Sequence, residues 1–309
     1  MTRTVLICGA SGLFGHQAAQ AFRAAGWMVR TYQRGTDMTQ AAMGADVIVN
    51  ALNPPNYHDW ATIIPATTAQ VIAAGLASGA TVLLPGNVYV YGDQPGPWGP
   101  ATPHRPVARK GTIRAQAEAA YRAATDRGLR VIILRGGDFI DPTAARSFWN
   151  MIVLKNVGAG RITTASLPDV RRAYAYLPDM ARAAVALADL RAALPAFADV
   201  PFAGLTLSTK DIAARITDLT GRAMKLTPFM WWFMRLAGPF WELARELNEM
   251  RYLWNTSHSL DPAPLADLLP DFRLTQLDDI LRAELAVLAP NLLGHPAHQG
   301  NVKLTQTGR

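Results

Sequence analysis

The stretch TVLICGASGLFG, residues 4–15, decides the fold. Thr4–Cys8 is a short apolar run with β-branched residues, which is the pattern of a fully buried parallel strand. Gly9, Gly12 and Gly15 follow at once. Glycines at a strand-to-helix turn let the backbone come close to a pyrophosphate, and the free N–H groups of the helix N-terminus hold its negative charge.

The residues after this turn complete a βαβ unit. Gln17–Gly26 predicts a helix, because its alanines and Phe22 share one face, and Met28–Tyr32 predicts a second strand. A glycine triplet that follows a buried strand and begins a helix indicates nucleotide binding rather than a simple tight turn. The residues predicted to contact the nucleotide here are Gly9, Ser11, Gly12, Leu13, Phe14 and Gly15.

Composition limits the class of protein. The chain has 309 residues, of which 50% are hydrophobic and 17% charged, as in a globular protein with one large or two unequal domains. The single cysteine, Cys8, excludes a disulfide framework and fits a reducing, cytoplasmic location. We see no signal peptide and expect no transmembrane segment, since the apolar stretch Pro228–Trp241 is well short of the ~20 residues needed.

The net charge of +7 leaves a nucleic-acid partner open as a third hypothesis. The arginines, however, are scattered and form no basic run, so we expect no nucleic acid to bind. A general arginine-rich composition explains the charge better.

Strands and helices alternate along the next part of the chain. The predicted strands are Asp46–Asn50, Ala80–Leu84 and Leu129–Leu134, and the helices between them are Trp60–Ser78 and Thr112–Arg127. This alternation predicts an α/β fold with a parallel sheet covered on both faces. The link from Arg34 to Asp46 is unusually short, with room for only a vestigial strand at Thr36–Met38 and one helical turn at Thr39–Met43.

Several segments together resemble the extended short-chain dehydrogenase/reductases, also called the NAD-dependent epimerase/dehydratase family. The resemblance covers about residues 4–290. Its pieces are the Gly9-x-x-Gly12-x-x-Gly15 turn, the strand that begins at Asp46, Val90-Tyr91-Gly92, Arg135 to Asp138, and Tyr176 to Ala183.

This resemblance implies a Rossmann-type doubly wound parallel sheet with a smaller, mostly helical C-terminal substrate lobe. The expected domains are residues 1–140, with parts of 170–210, for the dinucleotide, and mainly 141–295 for the substrate. A loose tail follows at 296–309. Family members are often homodimers through two helices, here Trp60–Ser78 and Thr112–Arg127.

The family's catalytic residues are replaced in this sequence. The resemblance aligns Asn87 with the catalytic serine, Lys110 with the tyrosine and Arg114 with the lysine of the Tyr-x-x-x-Lys motif. Arg114 can still donate to ribose hydroxyls, and Asn87 can donate to a carbonyl oxygen. Positive charges beside Lys110 would lower its pKa from ~10.4 toward neutrality, as a lysine acid/base needs, so we consider it as the proton donor for carbonyl reduction. The alternative is that Lys110 and Arg114 lie on a solvated helix face.

The end of the second strand bears on cofactor choice. An NAD-binding protein usually has a carboxylate there, whereas this chain has Tyr32-Gln33-Arg34. Arg34 and Ser11 would bind a 2′-phosphate, so we expect NADP(H) rather than NAD(H), unless Arg34 is a solvent-exposed cation. Further residues expected around the adenosine are Asp37, Met38, Ala51, Leu52 and Asn53.

Other candidate groups are less specific. Tyr89, Tyr91, Tyr174 and Tyr176 are phenols that can reach the site but more often pack. Isolated histidines without ligand spacing predict no metal site. The aromatic residues of 229–254 are the core of the substrate lobe, or else an apolar lid, a dimer patch or a membrane-surface helix.

Two functions remain open from the sequence. The first is an NADP(H)-dependent oxidoreductase or epimerase acting on a small molecule with a carbonyl or secondary alcohol. The second is a non-catalytic NADP(H)-binding sensor or regulator that has lost the catalytic triad.

Overall fold

The computed structural model describes residues 2–54, 57–143 and 147–293, and the predicted tail at 296–309 lies outside them. The strands are β1 (Thr4–Cys8), β2 (Met28–Tyr32), β3 (Val47–Asn50), β4 (Thr81–Gly86), β5 (Val131–Arg135), β6 (Asp138–Ile140), β7 (Arg161–Thr164), β8 (Arg172–Tyr176), β9 (Phe197–Pro201), β10 (Leu205–Leu207) and β11 (Lys225–Pro228). The helices are α1 (Leu13–Ala24), α2 (Met38–Ala42), α3 (Trp60–Ser78), α4 (Arg109–Ala124), α5 (Leu177–Asp189), α6 (Thr209–Thr220), α7 (Trp231–Ala237), α8 (Glu242–Glu249), α9 (Arg251–Asn255), α10 (Ala263–Leu268) and α11 (Leu277–Leu288).

The central sheet has six strands in the order β2-β1-β3-β4-β5-β9, and every neighbouring pair is parallel. Successive side chains of a strand point to opposite faces, so β1 serves two cores. Val5 and Ile7 pack with α1 and α5, whereas Leu6 and Cys8 pack with α2, α3 and α4. The predicted parallel α/β fold, covered on both faces, is confirmed.

The sheet ends at β2, so the prediction of a vestigial strand at Thr36–Met38 was wrong. Asp37 is instead the N-cap of α2, and its carboxylate accepts hydrogen bonds from the N–H groups of Thr39 (2.8 Å) and Gln40 (3.2 Å). A side-chain cap of this kind favours a helix start over an extended strand.

The C-terminal lobe contains two small sheets that the sequence did not reveal. One has the order β10-β8-β6 and the other pairs β11 with β7. These strands have three to five residues each, which is too short for a clear alternation of apolar and polar residues. The lobe is mostly helical, as predicted, with these two small sheets added to helices α6 to α11.

Helix α3 is the helix in the described ranges that is long and apolar enough to cross a bilayer, with a mean hydropathy of 1.3. Length and composition alone are weak evidence for a membrane span, since the core helix of a globular protein passes the same test. In this fold α3 packs along α4 and turns Ile64, Val71 and Ala74 inward.

A buried arginine ties the sheet to α4. Arg135, at the end of β5, is fully buried and binds the carboxylates of Glu118 (2.8 and 3.0 Å) and Asp199 (2.7 and 3.1 Å) with two hydrogen bonds each. It also donates to the carbonyl oxygen of Asn87 at 2.7 Å. One guanidinium therefore connects α4, β9 and the loop after β4.

Replacement of Arg135 by methionine should lower the free energy of unfolding by about 3–5 kcal/mol, because two buried carboxylates lose their counter-charge. Urea denaturation of the variant measures this. The matched control is Arg34→Met, an exposed arginine whose loss should change stability by less than about 0.5 kcal/mol. Equal effects of the two substitutions would contradict the role given to Arg135.

Candidate functional site

The turn between β1 and α1 has a shape that only glycine permits. A Cβ atom at Gly15 would lie 2.1 Å from the carbonyl oxygen of Gly9. Gly9 has a φ of 90°, and a Cβ atom there would lie 2.7 Å from the carbonyl oxygen of Ala51. The spacing seen in the sequence therefore reflects close backbone contact among β1, α1 and the loop after β3.

The N-terminus of α1 has no counter-charge of its own. Gly12 is the N-cap residue, no side chain caps the helix, and the first turn contains no acidic residue. Ser11 and Gly12 are exposed, so the first N–H groups, including those of Leu13 and Phe14, are available to an external anion. The positive end of the helix dipole favours a phosphate at this place.

A cleft of about 600 Å³ lies on the side of β2 and α2. Five of its lining residues are among those predicted to surround the adenosine: Arg34, Asp37, Met38, Leu52 and Asn53. Arg34 is exposed in the turn after β2. The structure thus brings the predicted adenosine residues together, with Ala51 adjacent to Gly9.

Asn87 and Arg114 line one small cavity beside the end of β4, together with Asn50 and Leu52. The Asn87 side-chain oxygen accepts a hydrogen bond from the Tyr89 N–H at 3.0 Å. Its amide nitrogen makes no hydrogen bond with any part of the chain that the structure describes.

Arg114 is held in place on two sides. Its guanidinium stacks on Trp60, with 4.7 Å from Cζ to the ring centroid, and donates to the Asn53 side-chain oxygen at 2.7 Å. Its Nε is buried and has no hydrogen-bond partner within the described ranges. A buried donor without a partner is costly, so it marks a place where a ligand oxygen fits.

Lys110 lies in surroundings opposite to those expected. Helix α4 begins at Arg109 rather than at Thr112, and in its first turn the ammonium group of Lys110 points to α8. It contacts the carboxylates of Glu246 and Glu249, the latter at 2.7 Å, and is fully buried. The expectation that like charges surround Lys110 was wrong, since its ammonium group binds two carboxylates. A position on a solvated face is equally wrong.

Two tyrosines meet at the mouth of this region. The hydroxyl groups of Tyr57 and Tyr89 are 3.2 Å apart, and burial raises the pKa of both phenols. The positive charge of Arg114 lowers the pKa of each phenol, against the larger effect of burial. Tyr57 was missed from the sequence, because only the tertiary fold brings the loop after β3 onto Tyr89.

A buried ion pair lies on the lobe side of the same region. Asp138 of β6 binds Arg172 of β8, and burial raises the pKa of Asp138. Burial also raises the pKa of Tyr174 to about 12. Tyr91, in contrast, packs between Trp98 and Arg135, away from the Tyr57–Tyr89 pair.

His104, Glu118 and Asp199 approach one another with metal-ligand groups within 4.8 Å. Arg135 already binds both carboxylates of this group with two hydrogen bonds each. A permanent cation therefore occupies the position that a metal ion would take.

No family model matches the chain, and no curated protein resembles it significantly. Solved structures do resemble it. MoeE5 in complex with UDP-glucose and NAD has 16% identity and a TM-score of 0.74, over 94% of this chain and 99% of that one.

Two further solved structures also resemble the chain. UDP-glucose 4-epimerase from Brucella ovis, in complex with NAD, has 16% identity and a TM-score of 0.70, over 94% of this chain and 99% of that one. UDP-glucuronic acid 4-epimerase from Bacillus cereus, in complex with UDP-glucuronic acid and NAD, has 15% identity and a TM-score of 0.72, over 93% and 99%.

The chain has the epimerase fold. The resemblance to the extended short-chain dehydrogenase/reductases is thereby confirmed at the level of the fold. Within the epimerase fold, the end of β4, the start of α4 and the lobe strands β6 and β8 meet around Tyr89 and Arg114.

The ion pairs of Lys110 make stability depend on pH. Burial alone would raise the pKa of Glu246, but the hydrogen bonds and charges of Lys110 and Arg109 outweigh it and hold that pKa below 4.5. An acid with a lowered pKa in the folded state stabilises the fold above its unfolded-state pKa. That stabilisation is lost as the pH falls through the folded-state pKa.

The variant Glu246→Gln should therefore be less stable than the parent by about 3 kcal/mol near neutral pH, and the difference should shrink below about pH 4.5. Urea denaturation across this pH range measures it. Glu242→Gln, a more exposed position on the same helix, is the control and should show a difference of less than about 1 kcal/mol. A difference for Glu246→Gln that does not vary with pH would refute this interpretation.

Proposed function

We propose that the protein binds a nicotinamide dinucleotide and acts as an epimerase-like oxidoreductase on a small molecule with a carbonyl or secondary alcohol. The observation that carries the proposal is the uncapped N-terminus of α1 beside a cleft lined by Arg34, Asp37 and Leu52. The three similar structures are of proteins crystallised with NAD, two of them with UDP-sugars. A sugar nucleotide is accordingly the first substrate class to test.

The residues present fit such a cofactor. A Cβ atom at Gly9 or Gly15 would collide with backbone, so the turn keeps the close approach that a pyrophosphate needs. The N–H groups of Leu13 and Phe14 would hold the phosphates, and Arg114 would donate its free Nε to a ribose oxygen. When bound, the nicotinamide supplies hydride acceptance or donation.

We assign the proton-transfer role to Tyr89 rather than to Lys110. Burial keeps the Tyr89 phenol protonated, so in carbonyl reduction it donates a proton to the oxygen that receives the new negative charge. Arg114 stabilises the tyrosinate that forms, and Tyr57, 3.2 Å away, can return a proton to it. The free amide of Asn87 would donate a hydrogen bond to the same substrate oxygen.

Lys110 has a different role in this proposal. Its two carboxylate partners fix the ammonium to α8, so it joins the start of α4 to the lobe. This observation also supports the second candidate function, a non-catalytic dinucleotide-binding sensor, because the residue at the position of the family's tyrosine is engaged elsewhere.

The proposal also specifies whether the cofactor carries a 2′-phosphate. Asp37 uses its carboxylate to cap α2, and Arg34 offers a guanidinium at the cleft. On this basis we propose NADP(H), whereas the similar structures hold NAD. The two forms differ by the 2′-phosphate that Arg34 would bind.

Titration with NADPH and NADH, followed by tryptophan fluorescence, tests the cofactor. We expect NADPH to bind more tightly, and Arg34→Ala to weaken NADPH binding about 10–100-fold without affecting NADH, as for loss of a hydrogen bond to a charged group. Arg23→Ala, an exposed arginine on α1, is the control. Tighter NADH binding, unaffected by Arg34→Ala, would leave the dinucleotide site intact but overturn the NADP(H) preference. If neither nucleotide binds, the glycine turn serves only the fold.

Turnover with a panel of UDP-sugars and small carbonyl compounds tests catalysis. Tyr89→Phe should lower kcat about 10²–10⁴-fold with dinucleotide affinity unchanged, since only proton transfer is lost. Tyr91→Phe, which removes a phenol bound to the Gly99 carbonyl, should retain activity. Dinucleotide binding without turnover of any compound would favour the sensor.

A further inference from the structure

The segment from Met230 to Trp241 exposes six large apolar side chains. Phe240 is 94% exposed, Leu236 68% and Trp232 64%. We call this the aromatic surface, and its members are Met230, Trp232, Phe233, Leu236, Phe240 and Trp241. Exposed apolar side chains in this number mark a binding surface in a protein that does not aggregate.

The helix that carries the aromatic surface is firmly attached to the lobe. Trp231 points inward, where its indole N–H donates to the Ala165 carbonyl oxygen at 2.7 Å and its ring packs on Trp254 with 4.9 Å between centroids. The side-chain amide of Asn248 in α8 donates to the Met234 carbonyl oxygen at 2.7 Å. The outward residues of α7 are therefore held outward by a packed inner face.

The segments that lead into this surface carry positive charge, while Glu242, which follows Trp241 directly, binds His58. Residues 219–241 contain no aspartate or glutamate, and neither do residues 142–168, which include the strand paired with β11. The basic residues of these two segments for which the described structure shows no carboxylate within 4.0 Å are Lys155, Arg161, Arg222, Lys225 and Arg235. Lys225 and Arg161 are directly paired across the two strands, and Arg235 lies on α7.

We propose that the aromatic surface docks on the surface of an anionic lipid bilayer. Exposed tryptophan, phenylalanine and leucine with basic neighbours are the composition of helices that lie in the membrane interface. A negatively charged headgroup layer complements the unpaired cations, whereas a second copy of this chain would bring like charges together. Leu236 and Met230 lack the flat rings that stack on nucleic-acid bases, which disfavours a nucleic acid.

The dimensions of α7 fit docking rather than crossing. Its seven residues span about 10 Å, far less than the ~30 Å of a bilayer core. The helix would lie in the plane of the interface, with Trp232 and Trp241 at headgroup level. Leu236 and Phe240, the most exposed members, would insert furthest.

Co-sedimentation of the full chain with vesicles tests the proposal. Vesicles of phosphatidylglycerol and phosphatidylcholine should bind the protein, pure phosphatidylcholine vesicles should bind it less, and added salt should weaken the binding. The double variant Leu236→Ser/Phe240→Ser should bind the mixed vesicles at least about tenfold more weakly than the parent. Both positions are exposed, so the variant should fold, which circular dichroism checks. Val287→Ser, an exposed apolar position on α11, should bind like the parent.

Three results would overturn the proposal. The first is no binding to the mixed vesicles, and the second is equal binding by parent and double variant. The third is that vesicles bind neither protein, while the parent either dimerises in sedimentation or binds single-stranded DNA. In that case the double substitution abolishes the dimer or the DNA binding. These readouts do not depend on a dinucleotide, so failure here and failure of the proposed enzymatic function are separate.

Discussion

The contact between Gly15 and the carbonyl of Gly9 is the constraint on which the proposed site depends. A single additional carbon at Gly15 would lie 2.1 Å from that oxygen, so the first turn of α1 cannot sit where it does with any other residue. Its position leaves the helix N-terminus exposed and uncapped. It also brings the loop after β3 against Gly9, and that loop leads to the cleft in which Arg34 lies.

Two buried charge clusters attach the remaining parts of the site to this frame. Arg135 fixes α4 and the loop after β4, which places Asn87 and Arg114 around one cavity. Lys110 fixes the start of α4 to α8 through Glu246. Removing one partner of a buried ion pair lowers the free energy of unfolding by much more than the intact pair raises it relative to apolar residues of similar size. Such clusters therefore act chiefly by fixing one arrangement. The C-terminal lobe thereby takes a definite position beside Tyr89.

The sequence was informative wherever the interaction is local. The glycine turn, the positions of the strands up to β5 and the grouping of Arg34 with Leu52 follow from short patterns whose geometry is the same in most parallel sheets. The surroundings of Lys110 could not be predicted, because its partner Glu246 lies 136 residues later. The Tyr57–Tyr89 contact likewise depends on how a loop folds over the sheet edge. The available signal in the sequence was the pair Glu246 and Glu249, which lie three residues apart on one helix. Their two carboxylates can together bind a buried cation.

The central claim is that the N-terminus of α1 holds the phosphates of a nicotinamide dinucleotide. The most direct measurement is a crystal structure of the protein grown with NADPH. The account predicts the pyrophosphate against the N–H groups of Leu13 and Phe14, with the adenosine in the cleft beside Arg34. A dinucleotide bound elsewhere on the chain, or crystals that exclude it at saturating concentration, would contradict the claim.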